Sequence, residues 1–161
     1  MSVTLEAIPP QALSFYIKMA FRDDPELIEK FHISPGSLDH CVGHTLGLIE
    51  GNRGFYQSDM ETYAVVIDKE TPIGFTVLIK NEKIPNELYS FGINIKHRTK
   101  ENLLSWLSEI KIKLGDPYYV VLWSKNTRAI DFFERNGFSV DRTLKIPGDE
   151  IKTLLKCPQE D

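Results

Sequence analysis

Two strand-like runs with a helix between them constrain the fold of this chain more than any other feature. Glu87 to Ile95 reads as a long strand. Thr99 then offers an N-cap, and Leu103, Leu104, Leu107, Ile110 and Leu114 recur at helical spacing up to Gly115. Asp116-Pro117 breaks the chain, and Tyr118 to Trp123 is a β-branched and aromatic run. A strand, a helix and a strand in that order make a parallel crossover, which is right-handed and lays its helix on one face of the sheet. Ligands of such sheets sit beyond the carboxyl ends of the parallel strands. Ile95 to Asn102 and Ser124 to Asn126 are therefore the ground for a site.

The rest of the chain dresses this crossover. Val3 to Ile8 is a short β-prone run ended by Pro9-Pro10, after which Leu13, Ile17 and Ala20 keep a helical period. A second helix is expected from Ser34-Pro35 through Leu38, Val42, Leu46 and Ile49, stopping near Gly51-Asn52. Tyr63 to Ile67 and Pro72 to Ile79, joined by the turn Asp68 to Thr71, read as an antiparallel hairpin. After Trp123 come a helix from Asn126 to Arg135, stopped by Asn136-Gly137, and two strands at Phe138 to Leu144 and Glu150 to Leu155. The expectation is an α/β fold with a mixed sheet of about six or seven strands flanked by about four helices. Residues 1–161 are read as one domain, with no repeat, low-complexity tract or linker.

Composition narrows the function classes. With 42% apolar and 26% charged residues in 161, the chain can bury one core without disulfide or metal staples. A net charge of −4 with scattered Lys and Arg argues against a nucleic-acid binder. Cys41 and Cys157 lie far apart without CxxC spacing, so reduced thiols are expected. The first ten residues lack a basic n-region and an apolar h-region, and no apolar run approaches the ~18 residues of a membrane span. A cytoplasmic location with no membrane association is the resulting expectation.

The run from Val120 to Phe138 carries a recognisable pattern. Asn126, Ala129, Phe132, Glu134, Arg135, Gly137 and Phe138 fit N-x-x-A-x-x-[FY]-Y-[EK]-[KR]-x-G-F. That pattern resembles the fifth strand and fourth helix of the GNAT superfamily of acyl-CoA-dependent N-acyltransferases. The physical logic is readable: Asn126 caps the helix or bonds a ligand amide, Ala129 allows close packing, and Gly137 supplies a left-handed cap onto which Phe138 folds back. The resemblance implies a splayed sheet that admits acyl-CoA, with acetyl-CoA as co-substrate, no metal, and an amine-bearing small molecule or protein as acceptor. A homodimer is compatible with it. The family follows its fourth strand with [QR]-x-x-G-x-[GA], whose glycines let backbone amides approach a pyrophosphate. Here that register falls on Arg98-Thr-Lys-Glu101-Asn-Leu103, so Arg98 fits while Glu101 and Leu103 replace both glycines. By this resemblance Ile93, Ile95, Arg98, Thr99, Lys100, Asn102, Leu103, Asn126 and Phe133 are the expected cofactor-binding residues.

For catalysis the resemblance points to Glu87, at the start of the fourth strand, as the base that deprotonates the amine, with Tyr89 beside it. Strand alternation sets Glu87, Tyr89 and Phe91 on one face unless a bulge intervenes. The family's proton-donating tyrosine is replaced by Phe133, which leaves Tyr89, Tyr118, Tyr119 or water for that role. Asp23, Asp24, Glu26 and Glu29 form an acidic group that either attracts a cationic amine or is a solvated helix face. The loop from Asn52 to Asp59 is an acceptor-pocket candidate. His40 and His44 share a helix face at metal-ligand spacing, but no third ligand is evident; His97 adjoins the phosphate loop. An N-acyltransferase is the reading, and a non-catalytic module of the same fold, binding a partner or another ligand, is the alternative.

Overall fold

The computed structural model describes residues 2–24, 38–56, 59–80, 86–115, 117–123, 126–145 and 151–156. Strand β1 (Val3–Ala7) leads through a 3-10 turn at Pro10–Ala12 into helix α1 (Leu13–Phe21). Helix α2 (Leu38–Tyr56) is followed by the hairpin of β2 (Met60–Ile67) and β3 (Thr71–Ile79). Asp68 and Lys69 turn this hairpin at φ 54° and 62°, the mirror-image turn whose twist matches the flanking strands. Then come β4 (Glu87–Ile93), helix α3 (Lys100–Leu114), β5 (Tyr119–Trp123), helix α4 (Thr127–Arg135), β6 (Ser139–Lys145) and β7 (Ile151–Lys156).

The seven described strands form one sheet in the order β1-β2-β3-β4-β5-β7-β6. Neighbours run antiparallel except β4 and β5, the parallel pair expected from the crossover. That pair has just two register partners, Glu87 with Tyr119 and Leu88 with Val120, both at the amino ends. Beyond Leu88 the strands diverge, so the sheet opens as a wedge toward the carboxyl ends of β4 and β5.

Each face of the sheet carries its own apolar layer. Trp106, Ile110 and Leu114 of α3 and Phe133 of α4 pack on Val3, Val65, Leu78, Leu88, Ile93 and Val120. On the other face Leu13, Ile17, Ala20 and Phe21 of α1, with Val42 and Ile49 of α2, pack on Phe75 and Val77. Burial of this kind stabilises by roughly 25 cal/mol per Å² of apolar surface removed from water.

Three expectations are corrected. Helix α2 does not stop near Gly51-Asn52 but runs to Tyr56, because glycine costs a helix interior about 1 kcal/mol without ending it. Its expected start at Ser34-Pro35 lies outside the described residues. Residues 52–56 are therefore helical rather than an open aromatic loop. Strand β4 ends at Ile93, not Ile95, since Asn94 starts a 3-10 turn over Ile95–His97 by accepting the Lys96 N–H on its side chain. Finally, β4 is bulged: Val77 pairs with Ser90 and Leu78 with Leu88, leaving Tyr89 as an extra residue. Alternation therefore breaks between Tyr89 and Phe91. Tyr89 packs toward α1 and α2, while Phe91 packs with Trp106 under α3, so Glu87, Tyr89 and Phe91 do not share a face.

Candidate functional site

The open wedge becomes a cleft because helices flank it on one face. Thr99 caps α3 by accepting the Asn102 N–H at 3.1 Å, and Leu103 N–H bonds Thr99 O at 3.0 Å. Asn126 caps α4 by accepting the Ala129 N–H at 3.4 Å. Both helix N-termini thus lie at the carboxyl ends of β4 and β5. Between them is a cleft of about 950 Å³. Lys100, Leu103 and Leu104 of α3 form one wall, and Arg128, Asp131, Phe132 and Arg135 of α4 form the other. Spacings of three and four residues put each set on one helix face. Phe91, Trp106 and Phe133 make an aromatic floor, with Phe91–Trp106 centroids 5.1 Å apart and Phe91–Phe133 centroids 5.8 Å apart. Trp106 satisfies its indole by donating to Thr76 Oγ1 at 3.0 Å.

The cleft is amphiphilic. Among the described residues its lining holds four cations, Arg98, Lys100, Arg128 and Arg135, against two acids, Asp24 and Asp131. Lys100 and Arg128 are exposed at the rim, with Arg135 beside them, whereas Trp106 and Phe133 are buried beneath it. Such a lining suits an elongated ligand with an anionic part and an apolar part.

Of the residues singled out from the sequence, Ile93, Ile95, Arg98, Lys100, Leu103, Asn126 and Phe133 line this cleft together. Thr99 and Asn102 stand behind it: Thr99 is the cap, and buried Asn102 donates to His97 O at 3.0 Å. Glu101 is exposed and takes no part in the wall, so the carboxylate in the glycine position does not face the cleft. Leu103 does face it, and puts a side chain where the family pattern leaves bare backbone. Phe133 is fully buried among Phe91, Trp106, Phe132 and Phe138. Half-buried Glu87 and Tyr89 lie at the amino end of β4, outside the cleft lining. Tyr118 is buried against Phe138, whereas Tyr119 is half-buried and in register with Glu87. Among the described residues no three His, Cys, Asp or Glu side chains gather as a metal group. Likewise, no helix among them is long and apolar enough to cross a membrane.

Of the acidic group after α1, the two described members, Asp23 and Asp24, are engaged in contacts within the fold. Asp24 is 2% exposed and pairs with Arg98, Nη2 to Oδ2, at 2.9 Å. Asp23 accepts the Asn94 amide at 2.9 Å and neighbours Lys96 and Arg22, each at 3.6 Å. The Asn94 hydrogen bond, then the Lys96 and Arg22 charges, hold its carboxyl below the usual carboxylate range. Glu26 and Glu29 lie outside the described residues. Sequence reasoning missed this latch, and it missed Arg128 and Arg135. The α4 residues had a signal, since Arg128, Phe132 and Arg135 keep helical spacing within the Asn126 to Phe138 pattern.

No protein-family model matches the sequence, and no curated protein matches it. Solved structures do match in fold. An acetyltransferase from Thermus thermophilus aligns over 99% of this chain and 98% of its own, with TM-score 0.71 and 17% identity. A probable acetyltransferase of the GNAT family from Chromobacterium violaceum covers 98% of this chain and 83% of its own, with TM-score 0.68 and 17% identity. PaiA N-acetyltransferase from Thermoplasma acidophilum, in complex with coenzyme A, covers 98% and 100%, with TM-score 0.62 and 19% identity. The element order, the wedge between β4 and β5 and these full-length alignments agree: this chain has the GNAT acetyltransferase fold, in a sequence far diverged from these neighbours.

Proposed function

We propose that the chain is an N-acyltransferase that moves an acetyl or other short acyl group from acyl-CoA to an amine by direct transfer. The observation that carries this reading is the amphiphilic cleft opening from the β4–β5 wedge at the N-termini of α3 and α4. Helix N-termini favour phosphate oxygens, the cationic rim adds to that attraction, and the aromatic floor suits an apolar arm. The Thermoplasma neighbour is complexed with coenzyme A, which is the donor class proposed here.

In this reading the acyl donor lies in the cleft with its thioester at the wedge, where a β4 backbone amide polarises the carbonyl. The amine arrives from the α1–α2 side, on which Tyr89 packs. Glu87 takes a proton from it, directly or through water. Its nitrogen bonds to the carbonyl carbon, the C–S bond breaks, and the thiolate leaves with CoA. Holding both reactants at the wedge supplies much of the rate.

The test is a calorimetric titration with acetyl-CoA, followed by thiol-release assays with a panel of primary amines and polyamines. Saturable binding and amine-dependent thiol release are expected. A second reading, a non-catalytic module of the same fold, is favoured by one observation: the ring at the family's tyrosine position, Phe133, is fully buried and has no proton to give. Binding without thiol release from any amine would favour it. No binding at millimolar acetyl-CoA would reject the transferase reading.

A further inference from the structure

Arg98 is the residue of the phosphate-loop pattern that this chain retains, yet it does not hang freely in the cleft. Its Nε donates to Ile93 O at 2.7 Å, and its Nη2 lies 2.9 Å from Asp24 Oδ2. A guanidinium has five N–H donors in one rigid plane. These two contacts, to the end of β4 and to the chain just beyond α1, fix that plane while the side chain stays 29% exposed at the cleft. Asp24 is itself held: its N–H donates to Phe21 O at 3.0 Å, and it is almost wholly buried. A carboxylate is poorly placed beyond a helix C-terminus, where the dipole favours cations, so its burial there calls for a partner such as Arg98.

Resting on the donor reading above, we infer that Asp24 is the positioning residue for Arg98, holding the guanidinium so that its remaining donors meet an anionic oxygen of the acyl-CoA diphosphate. The sign of the effect separates this role from simple charge. An acid beside an anion site repels the ligand, so on charge alone its removal would tighten binding. A positioning acid does the reverse. Once released, the arginine must give up its rotamer freedom on binding, which costs about threefold to thirtyfold in affinity.

The experiment is a calorimetric double-mutant cycle with CoA on the full chain, using Asp24→Asn, Arg98→Ala and the double variant, with thermal unfolding run on each. Asp24→Asn keeps an oxygen and the side-chain shape. It is expected to weaken CoA binding by about threefold to thirtyfold, with no further effect once Arg98 is alanine. Tighter or unchanged binding by Asp24→Asn, or losses that add, would overturn the inference. Should Asp24→Asn fail to fold, Arg98→Lys decides the matter. It keeps the charge but loses the fork, and is expected to bind CoA nearly as weakly as Arg98→Ala, whereas parent-like binding overturns the inference. If the parent chain takes no CoA, the donor reading falls and this inference with it. If the parent binds and the cycle is additive, this inference alone falls.

Discussion

Phe133 shows how a single residue separates the two functional readings. Its ring is enclosed by four aromatic neighbours, with Phe138 nearest at 5.0 Å between centroids. Phe133→Tyr would bury a hydroxyl in that cluster, so chemical denaturation should show a loss of about 1–3 kcal/mol. An unchanged stability would mean that the hydroxyl reaches the cleft. Glu87→Gln tests the chemistry instead: turnover should drop about 100-fold or more at neutral pH and recover as pH rises and the amine deprotonates unaided. A pH-independent, parent-like rate would remove Glu87 from the mechanism. The Asn126 to Phe138 pattern was legible in the sequence because its parts act locally: Asn126 caps, Gly137 takes φ 90°, and Phe138 N–H returns to Phe133 O at 3.0 Å. Asn94 was not legible, since its role is long-range. It donates to Met19 O and to Asp23 and so ties the end of β4 to α1. No spacing in the sequence announces a contact across that distance.

At the scale of elements, α3 and the hairpin were readable from period and turn chemistry, but the end of α2 and the end and bulge of β4 were not. Glycines in α2 looked like a stop because a sequence shows the propensity of Gly51 and not the packing of Val42 and Ile49 that holds the helix. Gly43, Gly47 and Gly51 fall on one side of α2, and an added Cβ at any of them meets nothing within 4 Å. Gly47→Ala should therefore stabilise the chain by about 0.5–1 kcal/mol, visible as a raised denaturation midpoint. A destabilised variant would mean that this side of α2 is not open. The bulge of β4 was invisible because it resides in the pairing with β3. Its neighbour Gly92 has a plain steric reason: a Cβ there would lie 2.7 Å from Phe21 and 2.9 Å from Phe75.

For the whole molecule, charge is divided against itself. The chain carries a net −4, yet the cleft lining carries four cations and two acids among the described residues. An anionic ligand is drawn to the cleft by local field rather than by overall charge. CoA affinity should then fall steadily between low and physiological salt, as calorimetry at several ionic strengths would show. A salt-independent affinity would argue against the rim. Global stability should also respond to alkali. Burial first, then the hydrogen bond to Glu61 and its charge, push the Tyr63 phenol up to about 12. Because the folded state keeps that proton longer than the unfolded one, this contribution is intact below about pH 10 and is lost as pH rises toward 12. Tyr63→Phe should flatten that part of a stability–pH curve. The short pairing of β4 with β5 has a consequence for amide exchange. From Ser90 to Ile93 the backbone has β3 on one side and no β5 register partner on the other. Deuterium uptake along this segment should therefore alternate, slow at amides turned to β3 and fast at those turned to the wedge. A ligand that bridges the gap would quench the fast set alone, leaving every second residue of β4 as its footprint.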